Sequence, residues 1–282
     1  MNEDLIMSYV LIGDSCCDFT KLEIRKPNTV RIPMLIIIGG VEYKDDGTRT
    51  QKDWIDMIKA DPDYPRSACP SPDAFFNAFK EDEDNYVVTL SSKLSGVYNS
   101  AQVAKEMFLD EHPDAKIHVF DSKSAAAGQH LICEEIFKRA DAGMEFEKVV
   151  EEVEKFRDEM TTIFVLDDLE TFKKNGRLKG IKAVVATAMN IKPVLIGDDG
   201  DIKQIDQGIG LHKTVNLMLK NIEKMDPDRS RTVRITQCDS SDMCLKVAKI
   251  LKEKFGFNDI KILNAGGLST IYENPGGIII AF

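Results

Sequence analysis

The chain predicts an α/β fold in two domains. The first half reads as a mainly parallel sheet flanked by helices, and the second as an α+β unit with a mixed sheet. Three observations carry this. Short apolar, β-branched runs alternate with segments of helical periodicity through the first half. Strands such as "YVVTL" (Tyr86 to Leu90) stop at a cluster of hydroxyls and pass straight into a helix. Beyond about residue 160, strands are joined by the hairpin signal Asp198-Asp199-Gly200.

The elements follow in order. Tyr9 to Gly13 is strand-like and ends at Asp14-Ser15. Val30 to Ile38 is a second extended run, closed by Gly39-Gly40. Lys52 to Ala60 is helical, and four prolines from Pro62 to Pro72 then punctuate a loop. Ser71 caps the helix "PDAFFNAFKE", with Pro72 at its first position. After Ser95-Gly96, residues Val97, Ala101, Ala104 and Phe108 share one helical face. Ile117 to Phe120 is a strand ending at Asp121-Ser122, and a helix follows from about Ala125 to Arg139. Strand and helix in alternation imply right-handed crossovers and parallel pairing. The charged amphipathic segment Glu145 to Met160 bridges the halves, so the domains are expected at 1–161 and 162–282. In the second, Ile163 to Leu166 is a strand and Ile181 to Met189 a short helix. Helices at Lys213 to Met225 and Met243 to Lys254 alternate with strands at Thr232 to Thr236 and Ile260 to Leu263.

With 282 residues, 43% hydrophobic and 30% charged, the chain has ample material for a core. A net charge of −10 and the absence of any Lys/Arg block argue against a nucleic-acid partner. The greasiest run, Met34 to Ile38, is far too short for a bilayer, so no stable membrane insertion is expected. Six cysteines without disulfide or zinc spacing suit a reducing cytoplasm. Cys16-Cys17 reads as a buried pair without redox function.

Three joins share one design: Asp14-Ser15, Ser91-Ser92 with Ser95-Gly96, and Asp121-Ser122 all follow strand ends. In a parallel sheet those ends form one edge, where ligands sit. Any single serine reads first as a helix cap. Three joins together favour an anion site at the helix N-terminus. Catalysis is weakly supported. The four histidines have no zinc spacing, and Gly-x-Ser-x-Gly, Gly-x-Gly-x-x-Gly and Walker loops are absent. Cys238 to Cys244 reads as cap chemistry before a helix. No metal and no cofactor are expected. Arg177, beside Gly176, is either a solvated helix end or a clamp for a carboxylate or phosphate.

These residues together resemble the DegV family of bacterial fatty-acid-binding proteins, over nearly the whole chain. "LIGDSCCDF" resembles the family's opening Asp-Ser-x-x-Asp, and "IPMLIIIGGVEYKDD" its Pro-Leu strand with a Tyr-x-Asp segment. "PRSACPSPDAF" is similar to a Thr-Ser-Gln-Pro-Ser loop. "LSSKLSGVYNSA" is similar to Ser-Ser-x-Leu-Ser-Gly-Thr-Tyr-x-Ser-Ala. "VFDSKSAAAGQ", "LDDLETFKKNGRL" and "NIKPVLIGDDG" continue the match in order.

The resemblance implies a two-domain DegV-like fold holding a long-chain fatty acid such as palmitate or stearate, its tail covered by the second domain. It implies a carboxylate held by Ser67, Ser92 and Ser95 with Gly96. The family's Gly-Gly-Arg arginine corresponds to Arg177. Tyr272 stands where the family's His-x-Gly-Pro-Gly motif begins. In some bacteria such proteins present the acid to a separate fatty acid kinase, which phosphorylates it. Tyr272 cannot carry the histidine's positive charge, Glu273 is expected to add a negative one, and Ile209 replaces a family arginine. Candidate acyl-chain contacts are Phe75, Phe76, Ile181, Val184, Val185 and Met189, any of which also reads as plain core. The expectation is a non-catalytic carrier. An acyl hydrolase or transferase, or a lipid-sensing interaction protein, are the alternatives.

Overall fold

The computed structural model describes residues 8–178 and 190–282. The first part runs β1 (Tyr9–Asp14), β2 (Thr29–Ile32), β3 (Leu35–Ile38), β4 (Val41–Lys44), α1 (Gln51–Ala60), β5 (Arg66–Ala68), α2 (Pro72–Phe76), β6 (Asp84–Thr89), α3 (Val97–Glu111), β7 (Ile117–Asp121), α4 (Ala127–Ala140) and α5 (Phe146–Glu159). It continues with β8 (Thr162–Val165), α6 (Glu170–Lys174), β9 (Ile191–Asp198), β10 (Asp201–Ile209), α7 (Leu211–Met225), β11 (Val233–Gln237), α8 (Ser241–Glu253), β12 (Ile260–Asn264), α9 (Gly267–Glu273) and β13 (Ile278–Ala281). The helix expected from Ile181 to Met189 lies outside the described residues.

The α/β expectation holds. Strands β2-β1-β6-β7 form an all-parallel sheet, with β1 and β6 buried along their full length. Strands β10-β9-β8-β13-β11-β12 form a mixed sheet in which only β11 and β12 pair parallel. A small antiparallel sheet, β4-β3-β5, stands apart from both.

Two local expectations are corrected. The run Val30 to Ile38 is not one strand, because β2 belongs to the parallel sheet and β3 to the small one. Pro33 lies at the break and has no N–H for a ladder, and the next amide, Met34 N, donates to Ser15 Oγ at 3.2 Å. The helix at Pro72 stops at Phe76 rather than continuing to Glu81. Ala78 and Phe79 then donate to Phe75 and Phe76, tightening the chain into three-residue turns.

Helix α4 joins the two large sheets. Eleven of its 14 residues are buried, and it touches β1 and β6 on one side and β11 and β13 on the other. A helix covered all round is a core element rather than a surface one. Its first turn sits so close to β8 that a methyl group on Gly128 would collide with Ser124 Oγ and Thr162 Oγ1. An ion network fastens the same helix. His130 Nε2 lies 3.3 Å from Glu134 and 3.4 Å from Glu23, and Lys261 Nζ lies 3.3 Å from both carboxylates. Arg234 Nε completes it at 2.6 Å from Glu134. Burial opposes charge on His130, but the two glutamates outweigh it and hold its pKa well above the ordinary histidine value. The three residues have the spacing of a metal cage, yet Lys261 and Arg234 already supply the cations.

Candidate functional site

The strand-end joins do gather on one edge, since β1, β6 and β7 are parallel neighbours. Their polar groups turn to the protein itself. Asp14 accepts from Leu90 N at 2.6 Å, Cys16 N at 2.9 Å and Gln129 Nε2 at 2.9 Å, so one carboxylate staples three segments. Burial raises its pKa to about 6 despite those bonds. Ser91 Oγ donates to Gly200 O at 2.7 Å, and Ser122 Oγ to Ser124 O at 2.9 Å. Ser92 is exposed, and both its N–H and its hydroxyl donate to Asp121. Ser95 differs. Its Oγ accepts weakly from Val97 N at 3.4 Å, which leaves its own O–H to donate. Gly96 lies beside Cys69, the Sγ being 3.5 Å from where a methyl group would stand.

What the joins offer inward is apolar. A narrow, partly open cavity is lined by Cys16, Leu90, Leu94, Ala125, Ala126 and Leu268, among others. A second reaches the β9–β10 hairpin at Gly200 and Ile202. Leu94, Ala125, Phe172 and Ile279 line both, so the two cavities abut.

The polar end of the first cavity is built by three sequence-distant elements. Gly176, at φ +69°, takes the left-handed turn after α6 and brings Arg177 back so that its N–H donates to Phe172 O. Arg177 Nε donates to Leu94 O at 2.9 Å and Nη2 to Ser67 Oγ at 3.4 Å. Ser67, set on β5 opposite Ile36, shares a 2.9 Å hydrogen bond with Tyr272 Oη. The guanidinium lies 5.0 Å from the Tyr272 ring centre, within cation–π range. Among the described residues no carboxylate pairs with Arg177. A half-buried guanidinium that meets only carbonyl and hydroxyl oxygens beside an apolar cavity has the chemistry to receive an anion.

Helix α9 carries Tyr272 and is held by two buried acids. Asp45 accepts from Gly267 N and Leu268 N, and Asp18 from Gly266 N and Ser269 Oγ. Burial lifts Asp18 to about 7, although the Gly266 and Ser269 bonds pull it down. At the far end of α9, Glu273 lines the cavity at 1% exposure. It was expected to add a negative charge, and the structure corrects this. Burial, with Asp18 nearby, pushes its pKa well above the carboxylate range, so the neutral acid is favoured.

Of the residues named from sequence, the structure therefore brings together Ser67, Arg177 and Tyr272. It turns Ser92 toward Asp121. Phe75 is buried in the core and Phe76 packs 5.3 Å from Phe108, and neither is among the residues that line these two cavities. Ile181, Val184, Val185 and Met189 lie outside the described residues. Sequence reasoning missed Leu94, Ala125, Phe172 and Ile279. Leu94 and Ala125 were within reach, because both sit inside the joins that the hydroxyls had marked. None of the four histidines lines either cavity, and burial pushes the Cys16 thiol up, away from nucleophilic use. No helix among the described residues is long and apolar enough to cross a membrane.

Comparison with known proteins agrees over the whole chain. The family model described as "Uncharacterised protein, DegV family" matches residues 8–282. A DegV domain-containing protein of Streptococcus pneumoniae is 32% identical over 279 residues, 98% of this chain and 99% of that protein. A DegV family crystal structure from Ruminococcus gnavus, with vaccenic acid, is 35% identical with a TM-score of 0.93, covering 98% of this chain and 100% of its own. The Streptococcus pneumoniae Fatty Acid Kinase (Fak) B3 protein, loaded with linoleic acid, is 31% identical with a TM-score of 0.91, covering 98% and 99%. A DegV family protein from Eubacterium eligens, loaded with heptadecanoic acid, is 28% identical with a TM-score of 0.88, covering 97% and 99%. Fold, motif order and end-to-end similarity converge, and the chain belongs to the DegV family.

Proposed function

We propose that this protein is a non-catalytic carrier of one long-chain fatty acid, with the carboxylate at Arg177 and the tail in the two abutting cavities. The observation that carries this is a cavity with one cationic end and an otherwise mostly apolar lining. The bound acids in the Ruminococcus, Streptococcus and Eubacterium structures support it. The energetics are adequate. A sixteen-carbon chain buries about 15 methylene and methyl groups at about 0.8 kcal/mol each, roughly 12 kcal/mol before ordering costs. A carboxylate leaving water needs partners or a proton. Arg177 offers a charged donor and Ser67 and Tyr272 offer hydroxyls beside it, with the free O–H of Ser95 next in the chain to Leu94, whose carbonyl Arg177 meets. In this reading the chain divides at 1–161 and 162–282 and both parts reach the head group, Ser67 from the first and Arg177 with Tyr272 from the second.

Mass spectrometry of a denaturing extract tests this reading. It is expected to recover about one C16–C18 acid per chain. Protein that holds no lipid and binds none on addition would sink it.

Similarity to the Fatty Acid Kinase (Fak) B3 protein favours a further role, presentation of the acid to a fatty acid kinase. Tyr272 then acts through its hydroxyl, with the Arg177 guanidinium 5.0 Å from its ring centre as the nearby cation. The assay is acyl phosphate formation from the loaded protein, ATP and a kinase subunit. Product is expected, and its absence would leave storage or sensing.

A further inference from the structure

The polar side chains along the first cavity are accounted for, with one exception. Arg177 is engaged by Leu94 O and Ser67, Tyr272 by Ser67, and Ser269 by Asp18. Glu273 is buried to 1% exposure, lines the same cavity, and neither of its carboxyl oxygens has a hydrogen-bond partner among the described residues. Buried polar groups are paired almost without exception. An acid left unpaired against an apolar cavity points to a partner that arrives with the ligand. In the carrier reading the ligand's own carboxylate is met by Arg177, which has no carboxylate partner among the described residues, so the partner of Glu273 lies along the chain.

We propose that Glu273 is a polar subsite inside the acyl cavity, and that the preferred ligand is a fatty acid bearing a hydroxyl on its chain. This rests on the carrier reading above and narrows its substrate class. The chemistry selects the hydroxyl. A neutral carboxyl offers one O–H donor and one carbonyl acceptor. A hydroxyl can answer either group, an oxo group can only accept, and a plain or unsaturated chain answers neither. Burial keeps Glu273 in the neutral form that this pairing needs.

The test is competition binding to the whole protein, comparing stearate with hydroxystearates whose hydroxyl is stepped along the chain. At least one isomer is expected to bind ten or more times tighter than stearate (about 1.4 kcal/mol). Glu273→Gln retains a donor and an acceptor and should keep most of that ratio. Glu273→Val should collapse it to within twofold. If stearate binds and no isomer exceeds it by more than twofold, the subsite is overturned and the carrier stands. A preference that survives Glu273→Val removes Glu273 from the assignment. If neither stearate nor any isomer binds, the carrier reading fails as well. The wild-type series decides even if the valine variant does not fold.

Discussion

Two polar regions of the molecule are built on opposite terms. At the ends of β1, β6 and β7, carboxylates and hydroxyls are saturated by the protein: Asp14 by three donors, Ser92 by Asp121, Ser91 by the β9–β10 turn. Around Arg177, the groups are clustered but under-used, with a guanidinium that meets hydroxyl and carbonyl oxygens and no carboxylate among the described residues. The first region locks loops into place. The second keeps capacity for something else. Polarity alone does not mark a binding site, whereas polarity without a partner does.

That contrast can be broken by mutation, and the largest effect belongs to the locked region. Asp14→Ala strands the buried amides of Leu90 and Cys16, and is expected to cost about 3–5 kcal/mol of stability in denaturant unfolding. A cost under about 1 kcal/mol would mean that the staple is dispensable.

Asp18 gives the next largest effect, and it depends on pH. Its folded pKa, about 7, lies above the ordinary aspartate value, so the folded chain keeps a proton that the unfolded chain releases. Its contribution is complete below the unfolded value near 4 and is lost as pH rises toward 7. Asp18→Asn keeps an acceptor for Gly266 N, and should flatten this decline and raise stability at pH 8 by up to about 4 kcal/mol. An unaltered slope between pH 4 and 8 would place the proton elsewhere.

Arg177→Ala reverses the pattern. It should weaken fatty-acid binding about 10–100-fold, or about 1.4–2.7 kcal/mol, while stability changes by less than about 1 kcal/mol. Equal losses in both would make Arg177 a structural residue. The smallest effects make the sharpest pair. Ser67→Ala with Ser95→Ala should lower affinity about tenfold, whereas Ser92→Ala should cost about 1 kcal/mol of stability and leave affinity within twofold. If Ser92→Ala weakened binding as much, the division between the two regions would be wrong.

The sequence by itself determined the architecture. Val97, Ala101, Ala104 and Phe108 recur at helical spacing and are the buried face of α3. The strands before Asp14, Ser91 and Ser122 are parallel neighbours, as alternation with helices required. These are local facts, since periodicity and caps act over a few residues. The motif order also singled out Ser67, Arg177 and Tyr272, which lie 110 and 95 positions apart along the chain and meet within hydrogen-bond reach.

Tertiary structure decided what each group does. A serine reads the same in sequence whether Asp121 claims it, as at Ser92, or nothing does. Glu273 reads as a charge until the fold buries it, because desolvation belongs to the surroundings and not to the residue. Hydrogen-bond satisfaction and dielectric are properties of groups brought together from distant parts of the chain, and only the packed molecule sets them.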